Sequence, residues 1–119
     1  MPHVIFPAGP DDAEDLARVH ITSWRETYQG LLPDSYLARM SIPVYARRFR
    51  AGLLQPGERE ATLAAADRTQ LVGYASGGPS RSQRPGEAEI MTLYVLKAAQ
   101  GRGLGHVPLW RHQLAAATL

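Results

Sequence analysis

Gly101, Gly103 and Gly105 stand at alternate positions after Gln100, with Arg102 between the first two. Residues of this type at this spacing suit phosphate chemistry. Glycine lets backbone approach a ligand without a Cβ clash and takes backbone angles closed to other residues. Where such a turn opens a helix, unpaired N–H groups and the helix dipole point at one spot, which favours an anion. Arg102 either adds a charge-assisted contact to phosphate or points to solvent. Rival motifs fit less well. The dinucleotide pattern G-x-G-x-x-G fails at His106, and no Gly-Lys-Ser/Thr follows for a P-loop. A glycine-rich turn without a ligand is the plain alternative.

Such a turn needs a strand before it and a helix after it. Residues 88–96 are apolar and β-prone, and they form the clearest strand in the chain. After Gly105, Trp110, Leu114 and Leu119 share one helical face. Pro108 falls in that helix, where it would break a turn unless the helix starts late.

Upstream, residues 3–6 read as a first strand, and Pro7-Ala8-Gly9-Pro10 breaks it. Asp11 with Glu14 resembles a capping box for a helix over 12–28, and Gly30 follows as its stop. Leu16, Val19, His20, Ser23, Trp24 and Thr27 recur at helical spacing. His20 therefore reads as a packed histidine before a catalytic one. Pro33-Asp34 opens a short helix whose apolar face is Tyr36, Leu37 and Met40. Ser41-Ile42-Pro43 restarts a third, with Val44, Phe49 and Leu53 toward the core. Residues 61–66 and 71–76 then read as paired strands around the turn 67–70, and residues 79–86 as a polar loop. The order predicts one α+β domain over residues 1–119.

Composition removes several classes of function. At 119 residues the chain has room for one domain and one core. It has no cysteine, so no disulfide, thiol nucleophile or zinc–thiolate site. His106 and His112 do not share a helix face, and no metal is expected. No run approaches the ~20 apolar residues that span a bilayer, and residues 1–7 do not resemble a signal peptide. A cytoplasmic protein without membrane contact is the expectation. The net charge is only +2. Lys97 is the sole lysine, and the arginines are scattered in small groups, Arg47-Arg48-Phe49-Arg50 and Arg81-Ser82-Gln83-Arg84. Nucleic-acid binding, which needs a clustered basic stripe, is not expected.

Gln100-Gly101-Arg102-Gly103-Leu104-Gly105 resembles the acetyl-coenzyme A signature Q/R-x-x-G-x-G/A of the GCN5-related N-acetyltransferases. Trp24-Arg25-Glu26-Thr27-Tyr28, followed by Gly30-Leu31-Leu32-Pro33-Asp34, is also similar to a common branch of that family. The resemblance covers the chain in order. It implies a mixed, mostly antiparallel sheet flanked by helices. It implies acetyl-CoA as co-substrate, with Gln100, Gly101, Arg102, Gly103, Leu104 and Gly105 around the pyrophosphate. The backbone of Leu93, Tyr94 and Val95 would pair with the pantetheine arm, as a ligand adds to a sheet edge.

The implied reaction is attack of a small-molecule or peptide amine on the acetyl thioester, which needs a base for the ammonium proton. Glu89 lies where many relatives carry that base; the competing reading is a solvent-facing carboxylate. Glu87 is a weaker candidate. Trp24, Tyr28 and Tyr36 lie on the helices that usually wall the acceptor site, and either touch substrate or simply pack in the core.

A complete member of the family would continue past the phosphate-binding helix with a fifth strand, a fourth helix and closing strands. The expectation is thus a domain truncated after that helix, with no catalytic acid to assign and the 88–96 strand as an apolar edge. A homodimer covering that edge is one outcome. A catalytically impaired CoA-binding or interaction module, and a fragment of a longer protein, are the others.

Overall fold

The computed structural model describes residues 4–55, 60–79, 88–100, 104 and 107–118. Four strands, β1 (Val4–Pro7), β2 (Ala61–Asp67), β3 (Gln70–Pro79) and β4 (Ala88–Val95), form one sheet in that order. Every neighbouring pair is antiparallel. Helices α1 (Ala13–Tyr28), α2 (Asp34–Ala38) and α3 (Ile42–Leu54) separate β1 from β2, and α4 (Val107–Thr118) follows β4. This is the α+β architecture expected, with an antiparallel sheet flanked by helices.

Local chemistry explains the boundaries. Pro10–Asp12 forms a single 3-10 turn ahead of α1. The Asp12 carboxylate accepts from Gly9 N–H at 2.8 Å, while Asp12 N–H donates to the Gly9 carbonyl at 2.9 Å. The reciprocal cap expected of Asp11 and Glu14 thus belongs to Gly9 and Asp12, because that extra turn comes first. Past α1, Gly30 takes φ 84°, a region that favours glycine. Ser41 caps α3 through its hydroxyl, which accepts from Val44 N–H at 3.4 Å, and Pro43 sits in the first turn, where no donor is missed. Pro108 likewise falls in the first turn of α4, so the helix starts late enough to tolerate it.

The sheet buries two faces. Leu63, Ala65, Ala75 and Ala88 pack with Trp110 and Leu114 of α4. On the other face Ala64, Leu71 and Tyr74 meet Leu16 and Val19 of α1, with Phe49 and Leu53 of α3 alongside. The alanines of β2 have little β propensity of their own. Their small side chains suit the middle of a sheet covered on both sides. A third cluster, Ile21, Leu37 and Met40, joins α1 to α2. No helix among the described residues is long and apolar enough to cross a membrane.

Candidate active site

β4 carries four of the candidate site residues, Glu89, Leu93, Tyr94 and Val95. It has one hydrogen-bonded strand neighbour among the described residues, β3. Tyr94 pairs with Tyr74 and Leu93 with Ala75, but the register shifts further along: Thr92 faces Ser76 while Ile90 faces Gly77. Met91 is the extra residue, and it is 70% exposed. A bulge of this kind bends its strand and re-aims side chains, and bulges gather next to active sites. Sequence reasoning missed it. The available signal was Gly77-Gly78 on the facing strand. A Cβ at Gly77 would collide with the Glu89 carbonyl oxygen and with Leu114 Cδ2. Glycine is there because β4 and α4 both press on it.

Leu93 and Val95 turn toward α4, and Tyr94 turns toward α1. Glu89 sits half-buried on β4 opposite Gly78, on the far side of the bulge from Tyr94. After β4 a 3-10 turn, Lys97–Ala99, leads to the glycine loop. Three contacts hold this exit. Leu96 N–H donates to the Val72 carbonyl at 2.9 Å. Glu26 of α1 accepts from Lys97 N–H at 3.0 Å. The side-chain amide of Gln100 donates to the Val95 carbonyl at 2.9 Å. Gln100 therefore orders the exit of β4. Leu104 is buried, and its carbonyl accepts from the Trp110 indole N–H at 2.6 Å. Gly101, Arg102, Gly103 and Gly105 lie outside the described residues, as do Glu87, His106 and Leu119.

Above the α1 face lies an aromatic cluster that no motif announced. His20 is its hub, with ring centroids 4.8 Å from Tyr45, 5.4 Å from Tyr94, 5.6 Å from Trp24 and 6.1 Å from Tyr74. Its Nδ1 lies 2.6 Å from the Tyr74 hydroxyl. Burial lowers the pKa of His20 below 6.5. Burial first, and then the neighbouring Tyr94 and Tyr45, raise that of Tyr74. The phenol thus keeps its proton and the imidazole stays neutral, so we assign Tyr74 O–H as donor and Nδ1 as acceptor. The packed histidine expected on α1 is packed, and hydrogen-bonded as well.

The Trp24 and Tyr28 rings meet at a tilt of 53° with centroids 4.7 Å apart and pack over Leu37 and Met40. The Trp24 indole N–H is buried and has no hydrogen-bond partner among the described residues. Arg25, from the same helix, donates from Nε and Nη2 to the carbonyls of Leu37 and Met40, at 3.1 and 3.4 Å, and so holds α2 in place. Among the described residues no group of three or more histidines and carboxylates is placed to hold a metal ion.

The sequence profile of the acetyltransferase (GNAT) family matches residues 19–110. The chain belongs to the GNAT family. It is 30% identical over 100 residues to the uncharacterized N-acetyltransferase YuaI of Bacillus subtilis (strain 168), covering 83% of this chain and 56% of that protein. The chain thus spans little more than half the length of this curated relative. Among solved structures, PaiA N-acetyltransferase from Thermoplasma acidophilum, in complex with coenzyme A, superposes with TM-score 0.74 at 20% identity. That match covers 98% of this chain and 74% of the other. YncA from Salmonella typhimurium, with its cofactor acetyl-CoA, gives TM-score 0.62 at 23% identity, covering 99% and 65%. At these identities the structures speak for the fold. In this GNAT chain the candidate site residues therefore lie on two elements, the exit of β4 and helix α1.

Proposed function

We propose that this chain is, or belongs to, an N-acetyltransferase that moves the acetyl group of acetyl-CoA to an amine of a small molecule or peptide. The observation that carries the reading is the construction of the β4 exit. A bulged strand runs into a glycine loop whose Leu104 is pinned by Trp110. The cofactors held by the PaiA and YncA proteins support the same choice of co-substrate.

In this reading the backbone of Leu93, Tyr94 and Val95 pairs with the pantetheine amides. The backbone N–H groups of residues 100–105 take the pyrophosphate, and Arg102 adds charge. Trp24 and Tyr28 wall the acceptor site. Glu89, acting directly or through water, takes a proton from the acceptor ammonium; the freed amine attacks the thioester carbonyl, the C–S bond breaks, and the departing CoA thiolate takes up the second proton lost from nitrogen. A second copy lying along residues 88–91 of the β4 edge leaves residues 93–95 open to the arm, so a homodimer is compatible with catalysis. The cysteine-free composition fits a cytoplasmic setting.

Calorimetric titration with coenzyme A, followed by an assay of thiol release from acetyl-CoA with a panel of amines, tests the proposal. Binding and turnover are expected. A chain that binds no coenzyme A would overturn it. Light scattering tests the dimer, and a monomeric mass at working concentration removes it.

A further inference from the structure

A groove of about 300 Å³ lies between α2 and α3, and Tyr36, Arg39, Ser41, Tyr45 and Arg48 are among its walls. Its lining carries two guanidinium groups and no carboxylate. Arg47 and Arg50 of α3 are also exposed but do not line the groove, and Arg25 is engaged by the carbonyls of Leu37 and Met40. Arg39 and Arg48 are exposed, and neither has a carboxylate within ion-pair distance among the described residues.

Arg48 is also preorganised. Its guanidinium carbon stands 5.1 Å over the Tyr45 ring. A guanidinium stacked on an aromatic face keeps its N–H edge free for a planar anion, and holding it there reduces the entropy lost on binding. Tyr36, opposite, leaves 51% of its surface exposed. Tyr45 ties the groove to the rest of the site, because its ring also packs on His20, which packs edge-on against Tyr94 of β4. The groove therefore lies two ring contacts from the strand segment assigned to pantetheine.

We propose that this groove binds a carboxylate of the acceptor, so that the substrate is a small amine that also carries an acidic group. The inference rests on the acetyltransferase reading and names its substrate class. Arg39 and Arg48 take the carboxylate oxygens, in the fork geometry that arginine offers and lysine does not. Tyr36 and Tyr45 flank the apolar stem, and the amine end is left free to reach toward β4.

The kinetic test compares amines identical except that a carboxylate is replaced by its methyl ester. KM for the acid is expected to be about tenfold lower than for the ester, the size of a charge-assisted contact in a partly exposed site. In an Arg39→Gln, Arg48→Gln double variant, KM for the acid should rise to that of the ester while affinity for coenzyme A is kept. Equal KM values for acid and ester in the unaltered protein overturn the proposal. A second test needs no turnover: NMR titration with glutarate should shift the Arg48 Nε–H and Tyr45 ring signals. Coenzyme A is titrated into the same sample. Failure of coenzyme A to bind removes the enzyme reading. Bound coenzyme A with unmoved Arg48 and Tyr45 signals removes this inference alone. Saturation by inorganic phosphate at lower concentration than by glutarate also overturns it, in favour of a phosphorylated ligand.

Discussion

The indole N–H of Trp110 donates to the carbonyl oxygen of Leu104 at 2.6 Å, and both residues are buried. Through this bond α4 is tied to Leu104, the residue between Gly103 and Gly105. A buried carbonyl left without a partner costs about 1–3 kcal/mol. Trp110→Phe keeps an aromatic ring in the core but removes the donor. It should lower Tm by roughly 5 °C, and it should weaken coenzyme A binding beyond what the conservative Leu114→Met does. An unchanged Tm in differential scanning calorimetry would show that the bond contributes nothing.

Gly77 faces the point where β4 bulges. Gly77→Ala places a methyl group against the Glu89 carbonyl, which is backbone and cannot swing aside, and against Leu114 Cδ2. Overpacking of this kind costs about 1–3 kcal/mol. A urea titration should show the midpoint falling with the slope unchanged. Gly52→Ala, where an added Cβ meets nothing within 4 Å, is the control.

His20 makes stability depend on pH, and the sign follows from its environment. Its folded pKa lies below the unfolded 6.5 because burial disfavours the imidazolium. Between the two values the unfolded chain binds more protons, so stability rises with pH. It is fully present above about 6.5 and is lost as pH falls through that value toward the folded pKa. The groups that face His20 are the Tyr74 hydroxyl and the rings of Tyr45, Tyr94, Trp24 and Phe49. His20→Gln should flatten the fall in Tm on acidification from 6.5, and an identical pH profile would refute the assignment. Tyr74 has the opposite alkaline consequence. Its raised pKa means that stability declines once pH passes 10, where the unfolded tyrosine ionises.

Glu89→Gln tests the proposed base. Loss of a general base costs about 10²–10⁴-fold in rate, so turnover should fall by at least about a hundredfold while coenzyme A still binds. Retained rate and an unchanged pH–rate profile would return Glu89 to the role of a strand carboxylate.

The strand 88–96 was legible as a run of apolar, β-prone residues and α1 by apolar residues recurring near every fourth position, although the bulge at Met91 interrupts the alternation of β4. The glycine-rich signature was legible because its composition is rare. The cap of α1 was misread, since Asp11 and Asp12 are equivalent by type and only the preceding 3-10 turn selects Asp12. β3 runs on through Gly77 and Gly78 to Pro79, against local propensity, because its ladder with β4 continues there. Gln100 matched a ligand motif, yet its side chain is engaged by the Val95 carbonyl, a contact that no spacing rule contains.

Taken alone, the residues determined the element order and the α+β class, and they marked the glycine-rich segment proposed for a pyrophosphate, because local propensity, periodicity and glycine content are properties of short segments. The folded chain decided the bulge at Met91, the His20 cluster and the guanidinium groups of Arg39 and Arg48, which have no carboxylate partner among the described residues. Each joins residues far apart in the chain, such as His20 with Tyr74 or Arg48 with the groove wall at Tyr36. Contacts of that kind depend on how helices and strands pack, and packing is set by the whole core.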